Sequence, residues 1–119
     1  MLEKWDALID PAALAPLREM AGDGAIREVL TTFLESSLSH VVKMRQAAAA
    51  GDARALSATA HMVKGSSGTV GAKRVSRFCA RIEVITMGGT LDGVAELLDA
   101  IDEDVARAQA ALKAWKGGG

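Results

Sequence analysis

His61, Lys64, Gly65 and Gly68 fall on one side of a single predicted helix, and their types and spacing suit chemistry on phosphorus. A neutral imidazole is a competent nucleophile near neutral pH, and attack by one ring nitrogen on an acyl phosphate gives a phosphoramidate whose phosphoryl group stays transferable. An ammonium three residues on, at Lys64, reaches the oxygens of a phosphoryl group held there. Gly65 and Gly68 each cost on the order of 1 kcal/mol of helix propensity relative to alanine, so bare backbone is wanted beside the histidine, where a partner's cleft can approach. On the same helix Leu56, Ala60, Val63, Ser67 and Val70 make the buried stripe. At about 100° per residue, His61 lies roughly 140° from that stripe, Lys64 roughly 80°, Gly65 roughly 180° and Gly68 roughly 120°, so the constellation faces water.

The elements that must position these residues are read as helices. Asp10 before Pro11 is an N-cap with proline at the first helical position, opening a short helix over 11–20 that Ala21-Gly22-Asp23-Gly24 ends. A long helix over 25–50 follows, with Ile26, Leu30, Phe33, Ser37, Val41, Met44 and Ala48 at alternating three- and four-residue steps. Gly51 stops it, and Asp52 caps the His61 helix, 53–70. Gly71 turns the chain into a helix over 72–87, closed by Gly88-Gly89. The last helix, 90–116, repeats Leu91, Val94, Leu98, Ile101, Val105, Ala108, Leu112 and Trp115, and 117–119 are a glycine tail. Short glycine-containing turns between helices of this length predict one all-α domain over 1–119, an antiparallel up-down-up-down four-helix bundle. The short first helix is accessory to that core, which leaves Leu17 and Met20 available for contact with a partner.

Composition supports this and excludes several classes. Two prolines, both before residue 17, 3% aromatics and half the residues apolar favour packed helices in a chain of 119 residues. A net charge of −1 argues against nucleic-acid binding, and the absence of a long apolar run or a basic-then-apolar start (Glu3 and Asp6 stand there) predicts a cytoplasmic protein without a membrane span. Charge is nonetheless segregated: five bases and no acid lie between His61 and Ile82, then seven acids and no base from Glu83 to Asp104. Of those bases, only Lys64 has the spacing to serve His61. His40 has neither a lysine one turn on nor glycines around it and reads as a surface residue. Ser66 and Ser67 read as packing residues, with the Ser67 hydroxyl able to bond the i−4 carbonyl. Cys79 joins the stripe Val75, Phe78, Cys79, Ile82 as a buried small hydrophobe. Neither histidine has a glutamate three residues before it, so no di-metal bundle site is expected, and no phosphate-cradling loop for ATP is present, so no autokinase activity is expected.

The run His61-Met62-Val63-Lys64-Gly65-Ser66-Ser67, then Gly71-Ala72, Cys79 and Ile82-Glu83, resembles the histidine-containing phosphotransfer (HPt) family, with Val63, Val75 and Ile82 where leucine is usual. The likeness extends back through Ile9-Asp10-Pro11, Phe33-Leu34-Glu35 and the alanine run before Gly51-Asp52, while the last helix matches only as a generic amphipathic one. The resemblance implies a phosphorelay intermediate that carries phosphate on Nε2 of His61, with Lys64 stabilising it. It implies as partners the receiver domains of response regulators or hybrid histidine kinases, Mg²⁺ supplied by the partner, no cofactor of its own, and a monomer. A helical adaptor that binds a receiver or kinase without carrying phosphate would show the same heptads; only the His61 constellation separates the two.

Overall fold

The structure, a computed structural model, describes residues 8–115. The glycine tail at 117–119, residue 116 at the expected end of the last helix, and Glu3 and Asp6 lie outside the described residues. Four helices follow in order: α1 (Pro11–Ala49), α2 (Ala53–Val70), α3 (Lys73–Met87) and α4 (Val94–Ala114). No described residue is in a strand. The bundle closes as a ring in which α1 packs on α2 and α4, and α3 packs on α2 and α4.

Local sequence explains where the helices begin and end. Asp10 caps α1 through Ala12 N–H at 3.0 Å, and Asp52 caps α2 through Ala55 N–H at 3.0 Å, each carboxylate satisfying a donor the first turn leaves free. The expected break over Ala21–Gly24 is narrower than predicted. Only Gly22 leaves helical geometry (φ 82°, ψ −178°), so the short and long helices run on as two arms of α1 across a kink. Arg18 and Asp23 pair across it at 2.7 Å. The last helix also differs from expectation, starting at Val94 rather than Thr90. Gly93, at φ 87°, puts a left-handed residue directly before it, and Leu91 lies in the preceding turn, although it still packs on the core.

The α2 stripe is buried as predicted: Leu56, Ala60, Val63, Ser67 and Val70. Ile26, Leu30, Leu34 and Met44 of α1, Cys79 and Ile82 of α3, and Leu98, Ile101 and Val105 of α4 meet it in a single core. Burying a side chain of the Leu or Ile class contributes about 1.5–3 kcal/mol, so this layer dominates the stability of the bundle. The first arm and the two residues that lead into its cap join it through Leu14, Leu8 and Ile9. Asp10 N–H donates to Gly71 O at 2.8 Å and the Asp10 carboxylate meets Lys73 at 2.7 Å, an ion pair that holds that carboxyl below its ordinary value. The first arm is thereby stapled to the turn between α2 and α3, and so to the end of the helix that carries His61.

Candidate functional site

His61 projects from the middle of α2 with 71% of its side chain exposed, on the side of the helix opposite the core. Lys64 lies one turn on, as its spacing requires. A third residue joins them from the neighbouring helix. Glu83 of α3 places Oε2 3.1 Å from His61 Nδ1 and Oε1 2.7 Å from Lys64 Nζ, so one carboxylate bridges both side chains. A carboxylate only accepts hydrogen bonds, which puts a proton on Nδ1 and, in the neutral ring, leaves the lone pair on Nε2. Partial burial pushes the Glu83 carboxyl up, but Lys64 and His61 together outweigh it and hold the group below its ordinary value. The charges of Glu83 and Lys64 thus offset each other within the site.

Hydroxyl groups set the frame around this triad. Ser67 donates to Val63 O at 2.5 Å, the i−4 back-bond expected of it, and Ser66 donates to Val63 O at 3.2 Å. Neither serine is free to act as a nucleophile without giving up that bond. From α3, Ser76 donates to Lys64 O at 3.2 Å, tying the backbone under Lys64 to the helix that carries Glu83. Cys79 lies one turn before Glu83 in the core, where burial, reinforced by the Glu83 charge, pushes its thiol up to about 12. It is inert packing in the native state.

Both glycines beside the site are helical. A Cβ at Gly65 would meet nothing within 4 Å, and one at Gly68 only Ser76 Oγ at 3.9 Å, so neither is required by the fold. Gly71 is different. Its φ is 84°, and a Cβ there would stand 2.7 Å from Asp10 O and 2.9 Å from Ala13 Cβ. Its predicted structural role therefore includes a close approach to the first arm that no turn signal announces.

The two residues expected to contact a partner from the first arm separate. Met20 is 86% exposed, whereas Leu17 is half-buried and packs against the core. His40, read as a surface residue, is half-buried, with Ser36 Oγ 3.4 Å from its Nδ1 and no ion pair among the described residues. Among the described residues no cluster of three or more His, Cys, Asp or Glu is placed to hold a metal ion. The role of Glu83 went unread in the sequence. The motif contains Ile82-Glu83, but only packing of α3 on α2 shows what the carboxylate touches.

A family profile for the Hpt domain matches residues 28–111. No curated protein matches significantly. Among solved structures, histidine-containing phosphotransfer protein B (HptB) from Pseudomonas aeruginosa is 30% identical and superposes with a TM-score of 0.82, over 91% of this chain and 93% of that one. The HPT domain of a sensor hybrid histidine kinase from Shewanella, 22% identical, shares the fold with a TM-score of 0.71 over 92% of this chain and 97% of its own. With the profile spanning most of its length, the chain belongs to the Hpt domain family.

Proposed function

We propose that His61 is the acceptor through which this Hpt domain relays a phosphoryl group between receiver-domain aspartates in phosphorelay signalling. The observation that carries the assignment is the shared carboxylate: Glu83 at 3.1 Å from His61 Nδ1 and 2.7 Å from Lys64 Nζ. In the forward step the Nε2 lone pair attacks the phosphorus of an aspartyl phosphate. The N–P bond forms, the P–O bond to the aspartate breaks, and the carboxylate leaves with the electron pair. The positive charge that develops on the ring is stabilised by Glu83 through Nδ1–H. Lys64, already beside the imidazole, turns from Glu83 toward the phosphoryl oxygens. Transfer to a second receiver reverses these events, and the Mg²⁺ that assists belongs to the receiver.

Bare backbone at Gly65 and Gly68 gives the receiver access, and Met20 adds apolar contact from the first arm, with the half-buried Leu17 behind it. The domain acts as a cytoplasmic monomer. The test is incubation with a phosphorylated receiver and detection of label on this chain. His61→Gln should stay folded and take no label, and His40→Gln should label normally. Label on the His61→Gln protein would refute the assignment, and stable receiver binding without label on the parent chain would favour an adaptor.

A further inference from the structure

Ser76 spends its hydroxyl in an unusual direction. Ser37, Ser67, Thr69 and Thr86 each donate to a carbonyl three or four residues back in their own helix, the common habit of a helical hydroxyl. Ser76, half-buried on α3, reaches instead across to α2 and donates to Lys64 O at 3.2 Å. Ser67 leaves that acceptor open: its single proton is committed to Val63 O at 2.5 Å, with Lys64 O further off at 3.2 Å. Lys64 is therefore held by α3 at two points, its backbone oxygen by Ser76 and its Nζ by Glu83 Oε1 at 2.7 Å. The two points are separated along α2, because a helical carbonyl points toward the C-terminus while the side chain leans toward the N-terminus. Ser76 and Glu83 are correspondingly two turns apart on one face of α3, within about 20° of each other, and α3 running back along α2 brings each to its own end of Lys64.

We propose that Ser76 is a positioning residue for phosphoryl transfer, fixing the register of α3 on α2 so that one Glu83 carboxylate meets both His61 Nδ1 and Lys64 Nζ. The proposal deepens the reading of His61 as the acceptor and rests on it. Its physical basis is the narrow tolerance of the contacts. Glu83 stands 3.1 Å from Nδ1, near the long end of a good hydrogen bond, so a slide or rotation of α3 that lengthens it by a few tenths of an ångström weakens the hold on the ring. Misplacing a reacting group by about 1 Å costs as much as about a hundredfold in rate. The Ser76 bond is directional and short-ranged, and it senses the same slide and rotation two turns away. Because it acts on the backbone of Lys64, it fixes the helix under the ammonium as well as the helix that carries Glu83. Gly68 covers this bond with bare backbone, a Cβ there standing 3.9 Å from Ser76 Oγ.

The experiment compares the whole chain with Ser76→Ala, Glu83→Ala and the double variant. Alanine is the better helix former, so the melting midpoint of Ser76→Ala should stay within a few degrees of the parent. ¹⁵N spectra of the His61 ring, taken with no receiver present, should show the Nδ1–H form giving way in part to the Nε2–H form in Ser76→Ala. With a receiver domain charged with acetyl phosphate, the limiting rate of label uptake should fall roughly three- to tenfold, while the receiver concentration for half-maximal transfer stays within about twofold. Adding Ser76→Ala to Glu83→Ala should change the rate by less than about twofold, since the group that Ser76 positions is already gone. A parent-like ring spectrum or a parent-like limiting rate in Ser76→Ala would overturn the proposal. Equal slowing with and without Glu83 would overturn it too, because a general loosening of the bundle acts that way. A parent chain that takes label from no charged receiver would overturn the acceptor reading and the kinetic role of Ser76 with it, whereas failure of the Ser76 variants alone leaves His61 as the acceptor.

Discussion

The contact that organises the site joins residues twenty-two positions apart, His61 and Glu83. Glu83→Ala removes the acceptor for Nδ1–H and the charge that balances the ring in transfer, and is expected to slow phosphorylation of His61 about tenfold or more, roughly 1.4 kcal/mol of barrier. Glu83→Gln keeps an acceptor and loses the charge, so its rate should fall between alanine and the parent, and ¹⁵N spectra of the His61 ring should show the Nδ1–H form yielding to a mixture only in the alanine variant. Acid gives a second readout. The folded protein holds the Glu83 carboxyl below its ordinary value of 4.5, so the stability this group contributes is complete above that value and lost as pH falls through the lowered one. Thermal midpoints of the parent should therefore drop more steeply below pH 4.5 than those of Glu83→Gln. His61, Lys64 and the two helical glycines are legible in sequence because a single helix determines their relation. Glu83 is not, because its role exists only once α3 lies against α2.

Among the elements, α2 shows how two glycines three residues apart serve opposite ends. Gly68→Ala meets only Ser76 Oγ at 3.9 Å and should gain up to about 1 kcal/mol from helix propensity. Gly71→Ala would force a side chain into a left-handed residue, at about 1–2 kcal/mol, and into Asp10 O at 2.7 Å, so a loss above about 3 kcal/mol in urea unfolding is expected. Caps and stops of this kind are why three of the four helix starts could be read from sequence: Asp10-Pro11, Asp52 and Gly71 each mark a helix end by their own local conformation. The start of α4 was misread because Leu91 continues the heptad spacing into the turn. Periodicity cannot register that Gly93 has a positive φ, and the same blindness made the kink at Gly22 look like a full break. The first arm also does more for the fold than its length suggests. Ile9→Ala, at 1% exposure, should cost about 2–5 kcal/mol, whereas Met20→Ala should leave stability unchanged.

For the molecule as a whole, charged pairs link neighbouring helices outside the core. Arg45 of α1 reaches Asp99 and Asp102 of α4, both at 2.8 Å, and Arg74 of α3 reaches the buried Asp104 of α4 at 3.2 Å. Arg27 closes the far end of α4, donating to Leu112 O at 3.0 Å and to Trp115 O, with its guanidinium over the Trp115 ring. The Asp104 pair carries a pH signature opposite in sign to that of Glu83. Burial raises this carboxyl and Arg74 only partly draws it back, so in the pH window between its ordinary and its raised value the native state holds more of this proton than the unfolded chain does. Stability from this group accordingly declines as pH rises from 3.8 through the raised value, and Asp104→Asn should remove that decline in denaturant titrations between pH 3.5 and 7.

The buried thiol of Cys79 gives the domain a built-in clock. A thiol-directed reagent attacks only thiolate, and in the closed bundle Cys79 offers almost none, so modification must wait for α3 to lift from α2. With no other cysteine in the chain, the alkylation rate counts openings of the layer that keeps Glu83 against His61. Timed with and without a bound receiver, it would tell whether each visit of the partner tightens that layer or loosens it.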